Sequence, residues 1–119
     1  MATIKRDEWN DYFQAFSFRN QGRPTKLEIF GELGAQEEEH YLPLNGVSLA
    51  ETGADVPRIE IMLGGESAKN IGHLTHMVPR VCWVTTKVSA DGRDEAIEFE
   101  DAEGSKTLLQ FEPVNHSLN

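Results

Sequence analysis

The clearest hydrophobic pattern of the chain lies near its start. Trp9, Tyr12, Phe13 and Phe16 follow one another at spacings of three and four residues, which place them on one face of a helix. We therefore predict a helix over about residues 6–20. Five of the ten aromatic residues of the chain fall within this segment. An aromatic face this dense needs a surface to pack against, and a sheet is the simplest one.

The rest of the chain alternates between apolar and polar residues with the period of a strand. Turn signals separate these segments, among them Asn45-Gly46 and Asp91-Gly92. The polar stretch at 31–39 predicts a turn region, and residues 48–57 and 64–70 predict loops. The predicted strands are 25–30, 40–44, 58–63, 73–78, 81–88, 96–100 and 106–112.

These elements predict an α+β fold. One N-terminal amphipathic helix packs on a six- to seven-stranded, mostly antiparallel sheet that is bent or forms a partial barrel. The length of 119 residues suits a single domain, 1–119, that folds without disulfides. All strands fall within residues 25–112, and residues 113–119 are expected to form a frayed tail.

The charge of the chain excludes two classes of partner. Eleven basic and 20 acidic residues give a net charge of −9, which disfavours binding to nucleic acids and to anionic membranes. The charge is also uneven, because residues 27–60 and 91–119 are acidic whereas residues 1–26 and 61–90 are mildly basic. Such blocks are usually solvated faces, but they also suit pairing between subunits.

Sorting and cofactor signals are sparse. No apolar run is long enough to cross a bilayer, and no apolar segment follows the basic residues near the start, so we expect a cytoplasmic protein. The single cysteine, Cys82, excludes a disulfide within the chain and a thiolate metal cluster. We expect no cofactor.

The candidates for catalysis and metal binding are few. His73 and His76 would point to opposite faces of a strand, so we predict no joint metal site. Cys82 stands between two apolar residues, which predicts a buried and inert thiol. An enzyme using His76 with a carboxylate such as Glu60 is an alternative. The sequence favours a protein without catalytic residues.

A ligand pocket between the helix and the sheet is a second possible function. Half-open sheets with a helix across the mouth bind small apolar molecules. The residues that would line such a pocket are Trp9, Phe13, Phe16, His76 and Trp83. Packing in the core explains the same aromatic pattern with fewer assumptions.

Association with a second copy is the leading hypothesis. The predicted strand 81–88 is apolar on both faces, with Val81 and Trp83 on one and Cys82 and Val84 on the other. Such a strand needs cover on both sides, and the second cover is either the helix or another subunit. We therefore predict a non-enzymatic module that acts through protein association, most simply as a homodimer.

Four stretches of the chain form a recognisable set. They are residues 8–13 (EWNDYF) with Phe16 and Ser17, residues 42–48 (LPLNGVS), residues 73–76 (HLTH) with Pro79, and residues 107–111 (TLLQF). Their order and spacing resemble a family of small bacterial proteins catalogued only as a domain of unknown function. The resemblance covers about residues 5–112. It implies one cytoplasmic domain and assigns no activity, cofactor or catalytic residue; His76 and residues 43–46 are where a role would be sought.

Overall fold

The fold was determined from a computed structural model. It describes residues 2–31, 34–37, 41–64 and 73–113. Of the predicted C-terminal tail, 113–119, only Pro113 is among the described residues. Of the predicted loop at 64–70, only Gly64 is described.

One helix precedes most of the sheet. After β1 (Ala2–Thr3), a short 3-10 helix, Arg6–Glu8, leads directly into α1, Trp9–Asn20. Together the two helices confirm the prediction of a helix over residues 6–20. Gly22 follows with φ +84°, a conformation that favours glycine and turns the chain from the helix into a strand. The other strands are β2 (Pro24–Gly31), β3 (Gly34–Glu37), β4 (Leu42–Ala50), β5 (Arg58–Gly64), β6 (His73–Val78), β7 (Val81–Val88), β8 (Asp94–Asp101) and β9 (Lys106–Phe111).

The strands form one antiparallel sheet that stays open. Their order is β1-β7-β8-β9-β2-β4-β5-β6, and β3 pairs with the second half of β2 on the same edge as β4. Strands β2 and β4 share only the pairs Pro24–Pro43 and Thr25–Leu42, so the sheet divides there into two parts. Within the described residues, β1 and β6 are its two ends. The predicted α+β class is confirmed, and the described residues form nine strands where six or seven were expected.

Two short strands account for the difference in number. The stretch at 31–39 was expected to be a turn region, but Gly34–Glu37 forms β3 and pairs with the end of β2. Strand β1 consists of two residues, which pair with Thr85 and Thr86 of β7. Segments of two to four residues are too short to show an alternation, and pairing with an existing strand stabilises them.

The prediction of a turn at Asn45-Gly46 is wrong. These residues lie inside β4, where the pairing with β5 shifts register between Leu44 and Gly46. The shift is a β-bulge, which bends a strand without ending it. The Asn45 side chain holds the bend, because its Nδ2 donates to the carbonyl of Gly64 at 2.7 Å. Strand β4 therefore continues to Ala50, and the loop begins later than expected.

Helix α1 docks against this bent strand. The described part of β4 pairs with β2 only at Leu42 and Pro43, so the edge beyond them is open to the helix. Ser17 of α1 accepts a hydrogen bond from the backbone N–H of Val47 at 2.8 Å and donates one to its carbonyl at 3.1 Å. One serine thus satisfies both backbone groups of Val47, in the way that a neighbouring strand would.

The core lies between α1 and the inner face of the sheet. Trp9, Phe13 and Phe16 are buried, as their helical spacing predicts. The ring of Phe13 meets Phe99 of β8 edge-on at 5.9 Å, and the ring of Phe16 lies 5.7 Å from Phe111 of β9. Through Ser17 and these rings, α1 joins the two parts of the divided sheet.

Candidate functional site

The five residues predicted to line a pocket fall into separate places. Trp9, Phe13 and Phe16 pack together in the core, and the indole Nε1 of Trp9 donates to the carbonyl of Ile4 at 3.0 Å. His76 is half-buried on the end strand β6, and Trp83 is exposed on β7. The structure therefore joins three of the five in one cluster. A ligand-binding role for the set stays a prediction.

His76 is not placed for acid–base chemistry with Glu60. In the β5–β6 pair, His76 stands opposite Ile61 whereas Glu60 stands opposite Met77, so the two side chains point to different faces. The carboxylate of Glu60 instead lies 3.3 Å from Arg58. Burial lowers the pKa of His76, which keeps its imidazole neutral at pH 7. The suggested pairing of His76 with Glu60 is wrong.

The expectation of a buried thiol at Cys82 is also wrong. The pairing of β7 with β8 shifts register between Val81 and Trp83, and Cys82 lies in this bulge. Its side chain is exposed, with Sγ 3.8 Å from the carbonyl of Arg80. A bulge adds one residue to a strand and changes which face the following side chains occupy. For the same reason, Trp83 points away from the core.

The side of the sheet facing away from α1 has an ordered arrangement of side chains. Strands β7, β8, β9 and β2 each present alternate residues there, while the residues between them are buried. We call this surface the outer face. The register places its members in three rows across the strands: an aromatic row, Trp83–Glu100–Lys106–Phe30; an acidic row, Thr85–Glu98–Leu108–Glu28; and a basic row, Lys87–Ala96–Gln110–Lys26.

The outer face differs from the rest of the chain in its charge. Its three lysines and three glutamates sum to zero, although the whole chain carries −9. Two of the glutamates stand in the acidic row and two of the lysines in the basic row beside it. At the two ends of the aromatic row, Trp83 is 59% exposed and Phe30 is 37% exposed. Large apolar side chains on a charge-balanced surface are typical of contact sites.

A buried carboxylate ties the end of α1 to the start of β8. Asp94 accepts hydrogen bonds from Arg19 at 2.7 Å and 3.1 Å and from the Asn20 amide at 2.8 Å. Burial alone raises the pKa of Asp94, but these hydrogen bonds and the charges of Arg19 and Arg23 outweigh it and hold that pKa below its ordinary value. Asp94 is therefore ionised at neutral pH and anchors the helix.

A groove of about 780 Å³ lies at the end of the outer face next to Asp94. Outer-face residues of β7, β8 and β9 line it, together with the β7–β8 turn, Arg23 and residues 111–113. Its volume is within the range of small-molecule sites. No sequence pattern indicates this groove, because the partners in the Asp94 network beside it are 71–75 positions apart along the chain.

The described part of the chain shows neither a metal cluster nor a membrane span. Among these residues, no group of three or more His, Cys, Asp or Glu side chains is placed to hold a metal ion. None of the helices described is long and apolar enough to cross a membrane.

The fold and this surface define a class of small α+β protein, in which one helix covers the inner face of an antiparallel sheet and the outer face presents ordered charges. The chain belongs to DUF5335, a family of unknown function, whose model matches residues 1–117. It is similar to an uncharacterised protein of Aquifex aeolicus (strain VF5), with 30% identity over 117 residues that cover 96% of each chain. No solved structure matches the chain.

Proposed function

We propose that the protein is a non-enzymatic association module and that its partner is a second copy of the same chain, bound through the outer face. The exposed indole of Trp83 carries this proposal. A tryptophan that is 59% exposed leaves a large apolar surface in water. Tryptophan is also among the residues that contribute most at protein interfaces.

Charge favours a second copy at this particular face. Two chains of net charge −9 repel each other wherever their acidic surfaces meet. On the outer face the charges balance, and the acidic row runs directly beside the basic row. Contact between two outer faces therefore brings no net repulsion, and the rows offer opposite charges to each other.

A two-fold axis between the acidic and the basic row gives a closed dimer. Rotation about this axis lays the acidic row of one copy on the basic row of the other, so that Glu28 of one faces Lys26 of the other. The same rotation carries Trp83 of one copy past the basic row of the other, towards its β7–β8 turn. The contact is the same in both copies, as two-fold symmetry requires.

Sedimentation equilibrium tests the proposal on wild-type protein and on Trp83→Glu. We expect the wild type to be a dimer. Trp83→Glu should weaken the dimer at least about 30-fold, since removing an anchoring tryptophan costs about 2 kcal/mol or more of binding free energy. Phe18→Ser is the matched control, because Phe18 is 84% exposed on α1, which covers the opposite face of the sheet.

The outcomes separate the alternatives. A wild-type chain that remains monomeric at high micromolar concentration would contradict the proposal. Equal loss of association in Trp83→Glu and Phe18→Ser would place the contact elsewhere. Because Trp83 is on the surface, the thermal unfolding of Trp83→Glu should match that of a monomeric wild type, which separates dissociation from misfolding.

A further inference from the structure

We propose that the groove beside Asp94 binds a small organic monocarboxylate, whose carboxylate is held by Arg23 and Arg93 and whose apolar body lies over Ala96 and Leu108. The groove shares part of the outer face with the proposed contact, because Ala96, Glu98 and Leu108 belong to both, so a ligand and a second copy exclude each other there. The site itself is formed by one chain and does not depend on the association. The groove, its two arginines and the arrangement of the surrounding carboxylates are the observations that carry it.

Arg23 is held in place before any ligand arrives. Its guanidinium lies 4.1 Å from the centre of the Phe111 ring. One of its nitrogens, Nη1, donates to the Asn20 side chain at 2.8 Å and to the backbone carbonyl of Asp94 at 3.0 Å. The other N–H groups of its guanidinium form no hydrogen bond within the described residues. A fixed guanidinium with free donors is well suited to a planar carboxylate.

Arg93 adds a second positive charge to the same place. Both arginines line the groove. The pKa of Arg23 is lowered, first by its burial and second by the positive charge of Arg93. The Arg93 side chain forms no ion pair or hydrogen bond with the part of the chain that is described. Two neighbouring like charges destabilise the folded protein. A bound anion between them would remove that repulsion.

The nearest carboxylates are already engaged. Asp94 uses both of its oxygens for Arg19 and Asn20. Asp91 accepts a hydrogen bond from the Ser89 hydroxyl and another from the backbone N–H of Arg93, and it is exposed. These carboxylates reduce the positive charge around the two arginines but do not form a side-chain ion pair with either of them.

The remaining lining selects the ligand. Glu98 and Glu112 also line the groove, and their negative charges disfavour a phosphate or a dicarboxylate. Apolar surface comes from Ala96, Leu108 and Pro113, which suits the hydrocarbon part of an acid. A single carboxylate on an apolar body is therefore the chemistry that this groove fits.

Nuclear magnetic resonance titration of the full chain carrying Trp83→Glu tests the site, because this variant leaves the outer face free and Trp83 is outside the groove lining. The probes are octanoate, benzoate and indole-3-acetate, with octanamide as the uncharged analogue of octanoate and with inorganic phosphate. We expect at least one carboxylate to give saturable shifts at the amides of residues 89–96 and 108–112, and octanamide and phosphate to bind at least about tenfold more weakly, since one charge-assisted hydrogen bond contributes that much.

Two variants locate the carboxylate. Arg93→Gln should weaken binding by about tenfold or more, because it removes one of the two guanidinium groups. Arg6→Gln, which changes an arginine stacked on Trp9 and outside the groove lining, should leave binding unchanged. The titration is repeated on the wild-type protein, in which a dimer through the outer face should weaken binding, so that loss of association and loss of the site give different results.

Several results would overturn the proposal. They are the absence of saturable binding by all three carboxylates at millimolar concentration, equal binding of octanoate and octanamide, and full binding to Arg93→Gln. Stronger binding of phosphate than of any carboxylate would also contradict it, because the groove would then recognise charge without the apolar body.

Discussion

Replacing Asp94 by asparagine tests the anchor between α1 and β8. The carboxylate is 7% exposed and accepts three side-chain hydrogen bonds, from Arg19 Nε, Arg19 Nη2 and Asn20 Nδ2. Asp94→Asn keeps the shape of the side chain but removes its charge. It also places an N–H donor where the protein already has donors, so at least one of the three bonds is lost and the others weaken.

The expected cost follows from those bonds. A hydrogen bond to a charged group contributes about 1.5–3 kcal/mol. The Arg19 side chain is 44% exposed and remains partly hydrated, which reduces its share. We therefore expect Asp94→Asn to lower the free energy of unfolding by about 2–3 kcal/mol. For a domain of this length, that corresponds to a fall in Tm of about 10 °C.

Urea unfolding monitored by tryptophan fluorescence measures this change. Glu95→Gln is the control, since Glu95 is an exposed neighbour whose ion pair with Lys87 spans 3.7 Å. It should change stability by less than about 0.5 kcal/mol. A loss in Asp94→Asn no larger than that in Glu95→Gln would refute the reasoning.

The dependence on pH gives a second check. The folded pKa of Asp94 lies below its ordinary value of 3.8, so its contribution to stability is complete above that pH and is lost as the pH falls through the folded value. The difference in stability between wild type and Asp94→Asn should therefore shrink on acidification below pH 3.8. A difference that stays constant in this range would show that packing, not charge, is responsible.

Three further predictions concern single residues. Ser17→Ala should lower the free energy of unfolding by about 1–3 kcal/mol in urea denaturation, because it leaves the N–H and carbonyl of Val47 without their partner; an unchanged midpoint would contradict this role. His76 should titrate below pH 6.5 in NMR, since burial disfavours its charged form, and its contribution to stability should decline as the pH falls below that value; titration above pH 6.5 would contradict the placement. The exposed thiol of Cys82 should react stoichiometrically with a thiol reagent in native protein; reaction only after unfolding would show that it is covered.

The helix and most strands were predictable because their signals are local. The spacing of Trp9, Phe13 and Phe16 marks one helical face wherever the helix packs, and all three are buried. The alternation at residues 58–63 likewise marks a strand that the structure contains. Such patterns depend only on neighbours along the chain, so a sequence alone reveals them.

The bulges at Asn45-Gly46 and at Cys82 were not predictable in this way. Asn45-Gly46 has the composition of a turn, and only its pairing with β5 and the bond from Asn45 to Gly64 keep it within β4. The bulge at Cys82 likewise depends on the register with β8, and it sends both Cys82 and Trp83 outward. A shift of one residue exchanges the two faces of a strand, so an error in register changes the expected site.

The groove and its charges were missed for a related reason. Arg23 and Asp94 are 71 residues apart, and no periodicity connects a residue after the helix with the start of β8. The sequence shows the charge of each residue but not which carboxylates are engaged by neighbours. The three rows of the outer face arise in the same way from strand order, which the sequence did not reveal.

Mixing two charge-swapped variants tests the proposed dimer most directly. One variant replaces the glutamates of the acidic row, Glu28→Lys with Glu98→Lys, and the other replaces the lysines of the basic row, Lys26→Glu with Lys87→Glu. Each variant alone brings like charges together in the dimer and should be monomeric by native mass spectrometry, whereas their mixture should form a heterodimer. Two monomeric variants that stay monomeric when mixed, or two variants that dimerise alone as well as wild type, would contradict association through the outer face.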